Sequence, residues 1–268
     1  MRTEELAWQI RRQGIEITHQ SHSSHIASIL SVAEIIAVLY NDVMRIFPDN
    51  PRNPDRDRFI LSKGHAGAAV YTALACKGFF PKEELLTQGA NGSRLSEHVS
   101  HKGVPGIELS TGSLGHGLGV GAGMALAIKR QHGTQSVFVV MGDGECEEGS
   151  VWEAAHFASH YGLENLVLTI DHNKMQALTL GNAMPSFMPL AGKWEAFGWH
   201  TQVVDGHDIP ALRKAYEQVS MEKPNCIIAD TVKGKGVSFM EQEILWHYRD
   251  PQGDDYKKAI EELERNRP

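Results

Sequence analysis

The sequence predicts an α/β fold, a parallel sheet sandwiched by helices, and two features carry that reading. Strand-like and helix-like segments alternate, and the strand-like ones ("VFVVM", "NLVLTI", "NCIIADTV") are near-continuous apolar runs. Strands apolar on both faces belong to a parallel sheet with a helical layer on each side. No repeat, low-complexity tract or linker interrupts the 268 residues, so 1–268 reads as one domain.

The elements follow in order. Residues 3–20 and 31–43 carry apolar side chains at helical spacing. The stretch "DRFILSKGHAGAAVYTALACKG" gives a short strand, a Gly-His turn and a helix. A polar, Gly-rich region at 89–112 leads into a Gly- and Ala-rich helix from about 113 to 131. Next come strand 137–141, helix 149–161 stopped by Gly162, and strand 166–170. An irregular Met/Pro segment (183–190), strand 200–205, helix 207–220, strand 226–232 and a charged helix from about 254 complete the chain.

Composition narrows the function classes. The net charge is −7 and the basic residues are scattered, which argues against nucleic acid as a partner. Cys76, Cys146 and Cys226 are odd in number and lack C-x-x-C spacing, which fits a reducing cytosol. The start "MRTEELAWQIRRQG" has no apolar signal core, and "IASILSVAEIIAVLY" is interrupted by Ser28, Ser31 and Glu34. A soluble, cytoplasmic protein without membrane contact is expected.

"VFVVMGDGECEEG" (137–149) runs from a strand through Gly-Asp-Gly into carboxylates. Asp-Gly is a strong hairpin signal, yet a helix follows it instead of a second alternating strand. Asn173, in "DHNKMQ", stands 30 positions after Asp143, with one helix and one strand between. A right-handed crossover therefore sets both at the carboxyl ends of parallel strands, where open α/β sheets bind ligands. A carboxylate, an amide oxygen and a nearby carbonyl are hard ligands suited to Mg²⁺ and to the phosphates that complete its shell. Gly144 leaves its N–H free to meet a phosphate at the start of the next helix. Taken alone, Asp143 could equally be a turn residue or helix cap. "GLGVGA" at 117–122 matches the dinucleotide fingerprint only in part: no buried strand precedes it and Val137 occupies the acidic position, so close helix packing explains its glycines.

Together these segments resemble the thiamine diphosphate-dependent transketolase family, N-terminal part. The matching pieces are "RDRFILSKGHA", "PGIELSTGSLGHGLGVGAGMA", "MGDGECEEG", "IDHNKMQ", "FGWH" with "VDGHD", and "KGKGVSFME", in family order across essentially the whole chain. The resemblance implies a thiamine diphosphate-binding fold. It also implies a divalent metal (Mg²⁺ or Ca²⁺) held by Asp143, Asn173 and the Met175 carbonyl. The diphosphate would be met by His65, Gly142 and Gly144, and the aminopyrimidine by Gly112 and Leu114. His25, His98 and His247 are implied near the thiazolium and substrate hydroxyls, His247 also touching the cofactor. Imidazole suits that work because it exchanges protons near neutrality. Glu148 matches an interface carboxylate thought to relay protonation between paired cofactors.

The chain departs from the family at Ser24-His25-Ile26-Ala27-Ser28, where Gly-His-Pro-Gly-Gly is usual, and at His116, where glutamine is usual. An unusual ketose, branched or modified, becomes a plausible substrate. The pyrimidine-binding domain of long transketolases does not follow "LERNRP". The expectation is therefore the first subunit of a split enzyme, an α2β2 heterotetramer with a separately encoded C-terminal transketolase subunit, moving a two-carbon ketol unit between sugars. The rivals are the α subunit of a 2-oxo acid dehydrogenase and a non-catalytic diphosphate-binding subunit.

Overall fold

The structure, a computed structural model, describes residues 1–175 and 189–268. Most of the expected Met/Pro segment, 183–188, lies outside the described residues.

Among the described residues five strands form one parallel sheet. They are β1 (Arg58–Leu61), β2 (Val137–Gly142), β3 (Leu166–His172), β4 (His200–Asp205) and β5 (Asn225–Asp230). The spatial order is β1-β2-β3-β5-β4. The fold class read from the sequence is thus the one observed. β2 and β3 are neighbours, with Gly142 in register with Asp171. β4 takes the edge beyond β5, and its Val203 is 56% exposed.

Alternate residues of each inner strand enter opposite cores, as a period of two requires. Phe138, Val140, Val167, Ile227 and Ala229 join one core with helices α1 (Thr3–Ser21), α2 (Ile26–Ser31), α3 (Ala33–Val38), α4 (Gly67–Cys76), α8 (Ile209–Glu217) and α9 (Gly253–Arg265). Val139, Met141, Leu168, Ile170 and Ile228 face the other core, with α5 (Gly117–Arg130), α6 (Gly149–His160) and α7 (Leu190–Ala196). Local chemistry sets several helix ends. Asp208 caps α8 by accepting the Ala211 N–H at 3.1 Å, and α9 begins with Asp254 and Asp255 and ends with Arg265, in the sense the helix dipole favours.

Two elements differ from the sequence reading. The helix expected over 31–43 runs as α3 from Ala33 and widens into a looser turn at Leu39–Val43, and it is preceded across Val32 by the short helix α2, which the sequence reading did not include. The Gly-rich helix starts at Gly117 rather than 113, because Gly115 is left-handed (φ 81°) and cannot sit inside a right-handed helix.

Candidate functional site

The loops leaving β1, β2, β3 and β5 enclose a cavity of about 330 Å³ at the carboxyl edge of the sheet. Its walls include His25, His65, His98, Gly112, Leu114, Gly142, Asp143, Gly144, Asn173, Met175 and His247, each singled out from sequence. Ser28, Lys63, Glu145 and Lys233 complete them, and these the sequence reading missed. Glu148 is not among the lining residues: it is exposed at the N-cap of α6. His101 is exposed and bonded to Ser110, which leaves His98 as the cavity histidine of its segment.

Close backbone approach builds the first wall. A Cβ on Gly64 would sit 2.6 Å from the Thr111 backbone carbonyl carbon, so glycine alone lets the turn bearing His65 pack there. A Cβ on Gly142 would meet nothing within 4 Å, leaving that wall open.

At the acidic end, buried Asp143 accepts from the Gly144 N–H (2.9 Å) and the Lys174 N–H (2.8 Å). Burial and neighbouring Asp171 push its carboxyl up to about 6. Asn173 donates from Nδ2 to Asp171 (3.3 Å), while its Oδ1 accepts the Met175 N–H at 3.1 Å. Asp171 is fully buried and also accepts from Ser31 (2.7 Å), Lys63 and Thr231. Burial raises its carboxyl, and the Lys63 ammonium with these donors more than offsets that, leaving it below the ordinary value. Glu145 accepts from Ser62 Oγ (2.6 Å) and the N–H groups of Gly115 and Gly142, with burial pushing it up.

At the basic end, Lys233 donates to His247 Nδ1 at 2.8 Å and to the Met175 carbonyl at 3.4 Å. Burial, then the nearby Lys63 charge, lowers its ammonium to about 8. His25, His65, His98 and His247 gather close by, His25 centring the group at 4.9 Å from His65, 5.8 Å from His98 and 4.9 Å from His247 between ring centroids. Burial pulls His25 down to about 4 and His247 to about 3, and holds His65 well below its ordinary value. These three imidazoles are therefore neutral near pH 7, available to accept a proton or to donate a ring N–H hydrogen bond.

The donor set fits a metal–diphosphate. Among the described residues no cluster of three or more His, Cys, Asp or Glu side chains could hold a metal. A cation here would rest on one carboxylate, one amide oxygen and one carbonyl, leaving the remaining positions to phosphate oxygens and water. Lys233, buried without a carboxylate in ion-pairing range among the described residues, would be a partner for an anion. His25 Nδ1 is buried with no hydrogen-bond partner among the described residues.

A covered parallel sheet with a charged cavity at its carboxyl edge defines a ligand-binding α/β protein. Residues 3–262 match the family described as "Transketolase, thiamine diphosphate binding domain", and the chain belongs to that family. It is 41% identical over 258 residues to the 6-deoxy-6-sulfo-D-fructose transketolase subunit SqwG of Clostridium sp. (strain MSTE9), covering 96% of this chain and 94% of that protein. It is 40% identical to an apulose-4-phosphate transketolase subunit of Phocaeicola vulgatus, covering 94% of this chain and 90% of the relative. Among solved structures, the transketolase from Leishmania mexicana superposes with a TM-score of 0.93 at 27% identity, covering 98% of this chain and 41% of that one. The chain thus spans nearly the full length of the subunit relatives and about two-fifths of that solved transketolase. No helix among the described residues is long and apolar enough to cross a membrane.

Proposed function

We propose that this chain is the thiamine diphosphate-binding subunit of a two-component transketolase, one domain over 1–268, working in a reducing cytosol. It transfers a two-carbon ketol unit from a ketose to an aldose with a separately encoded pyrimidine-binding subunit, in an α2β2 assembly. The observation carrying this reading is the cavity, which unites the Asp143/Asn173/Met175 oxygens with Lys233 and a histidine quartet. Two relatives of nearly equal extent are themselves named as transketolase subunits, which supports the two-component reading.

In this reading Asp143 Oδ, Asn173 Oδ1 and the Met175 carbonyl hold Mg²⁺ or Ca²⁺. His65, Lys233 and the backbone of Gly142 and Gly144 meet the diphosphate, while Gly112 and Leu114 pack on the pyrimidine. When bound, the cofactor supplies a thiazolium carbon that adds to the ketose carbonyl and accepts electrons as the carbon–carbon bond breaks. His25 and His98 orient the substrate hydroxyls and move their protons. His247 does so from its Nε2 side, since Nδ1 accepts from Lys233. Glu148, exposed, serves the contact between subunits rather than the cavity.

The test is to assay the purified chain with a panel of ketose donors, 6-deoxy-6-sulfo-fructose and 2-oxo acids among them, with and without a pyrimidine-binding transketolase subunit encoded beside it. Ketol transfer only in the mixture is expected. Turnover by the lone chain, or turnover of 2-oxo acids alone, overturns the proposal.

A further inference from the structure

The four cavity histidines come from four separate chain segments, and hydrogen bonds made at or beside each histidine tie those segments together. The His25 N–H donates to the His247 carbonyl at 3.0 Å. The Val99 N–H, one residue past His98, donates to the carbonyl of Gly64, one residue before His65, at 3.1 Å. Lys63 Nζ reaches the Ser28 carbonyl at 3.3 Å. Between the His25 and His98 segments the link is of another kind. Ser24 donates its N–H (3.3 Å) and its hydroxyl (2.9 Å) to one carboxylate oxygen, Oε1 of Glu97. Among the described residues these are the hydrogen bonds joining the two segments, and both depend on a single side chain.

That side chain acts beside a residue with a left-handed backbone. His25 has a left-handed backbone (φ 71°, ψ 16°), a conformation that costs a residue with a Cβ some energy even though histidine adopts it more readily than most, and surrounding bonds hold it there. The bonds that do so are the His25 N–H to His247, the Ser28 N–H to the His25 carbonyl (2.9 Å), and the Glu97 grip on Ser24 immediately before it. Glu97 is itself held, since its carbonyl accepts from buried Gln88 at 3.4 Å and a Cβ on Gly67 would come 2.7 Å from that same carbonyl. A fixed Glu97 therefore fixes the Ser23–Ser24 peptide and the Ser24 side chain immediately before His25, while the next peptide is tied through the His25 N–H to the His247 carbonyl.

We propose that Glu97 is a positioning residue: through Ser24 it locks His25 against His98, so that the two imidazoles address one substrate together. The proposal rests on the reading that these histidines meet the substrate. It puts Glu97 at the substrate end of the cavity and outside cofactor binding, because among the described residues no bond of Glu97 reaches Asp143, Asn173, Met175 or Lys233.

The experiment compares Glu97→Ala, Glu97→Gln and Ser24→Ala in the enzyme reconstituted with its partner subunit. It reads ketol-transfer kinetics, thiamine diphosphate affinity by calorimetry, and the ring resonances of histidine-labelled protein. Misplacing a reacting group by an ångström loses up to about a hundredfold in rate. Glu97→Ala is expected to lower kcat/KM at least about tenfold, to move the His25 ring resonances, and to leave cofactor affinity and the His65 resonances in place. Glu97→Gln, whose amide oxygen accepts the same two donors, is expected to restore most of the rate, and Ser24→Ala to fall between. Unchanged His25 resonances in Glu97→Ala overturn the proposal whatever the reaction proves to be. So does a loss of cofactor affinity equal to the loss of kcat/KM. Absence of ketol transfer in the unsubstituted pair would instead count against the functional reading.

Discussion

Lys233 Nζ lies 2.8 Å from Nδ1 of His247, and among the described residues that buried ammonium has no carboxylate in ion-pairing range. Nearby Lys63, equally buried, is paired with Asp171. One cation of the cavity is thus paired with a carboxylate, and among the described residues the other is not.

Replacing Lys233 by Met should therefore separate binding from stability. A hydrogen bond to a charged group contributes about 1.5–3 kcal/mol, so thiamine diphosphate should bind about ten- to a hundredfold more weakly. The melting temperature of the cofactor-free protein should hold or rise, because an unpaired buried charge is removed. Calorimetry and thermal melts check both halves. A variant with unchanged affinity would remove Lys233 from the anion site.

Cofactor binding should require Mg²⁺ or Ca²⁺ and be abolished by chelation. Asp143→Ala removes the one carboxylate of the donor set, and a loss of about a hundredfold or more is expected, given that partners behind metal ligands already cost 10–100-fold. Titration of thiamine diphosphate with and without chelator measures this. Metal-independent binding would contradict the assignment.

Acid should destabilise the fold through the buried cavity histidines His25, His65 and His247. His25 and His247 are held at about 4 and about 3, below the ordinary 6.5. The unfolded chain thus takes up protons first, and stability is lost as pH falls from about 6.5 through these folded-state values. Melting temperature against pH should decline across that window, and His25→Asn should flatten the decline. An identical profile for the variant would show that other groups govern acid unfolding.

His98→Ala should lower kcat about a hundredfold, the lower end of what a positioned proton carrier contributes, with little change in melting temperature. His98 is only partly buried and lies in a loop, so its removal leaves no core cavity. Ready unfolding of the variant, or full turnover, would show that its role is structural or dispensable.

Much of this molecule was legible in the sequence because the signals are local. Apolar runs and helical spacing reveal α/β layering, since burial of one face repeats every two or every 3.6 residues. Asp143 and Asn173 could be placed at one sheet edge because a right-handed crossover leaves little choice over a single strand–helix–strand unit. Tertiary structure alone decided the rest. The edge position of β4, the late start of α5 behind left-handed Gly115, and the separate helix α2 before Val32 depend on packing that no local window contains. Lys63 and Lys233 are ordinary basic residues in the sequence. They differ only because folding buries both and gives Asp171 to one of them, a distinction made by low local dielectric and long-range pairing. The Ser24–Glu97 link is of the same kind: neither residue forms a motif, and the contact exists because two distant loops meet beside the same four imidazoles.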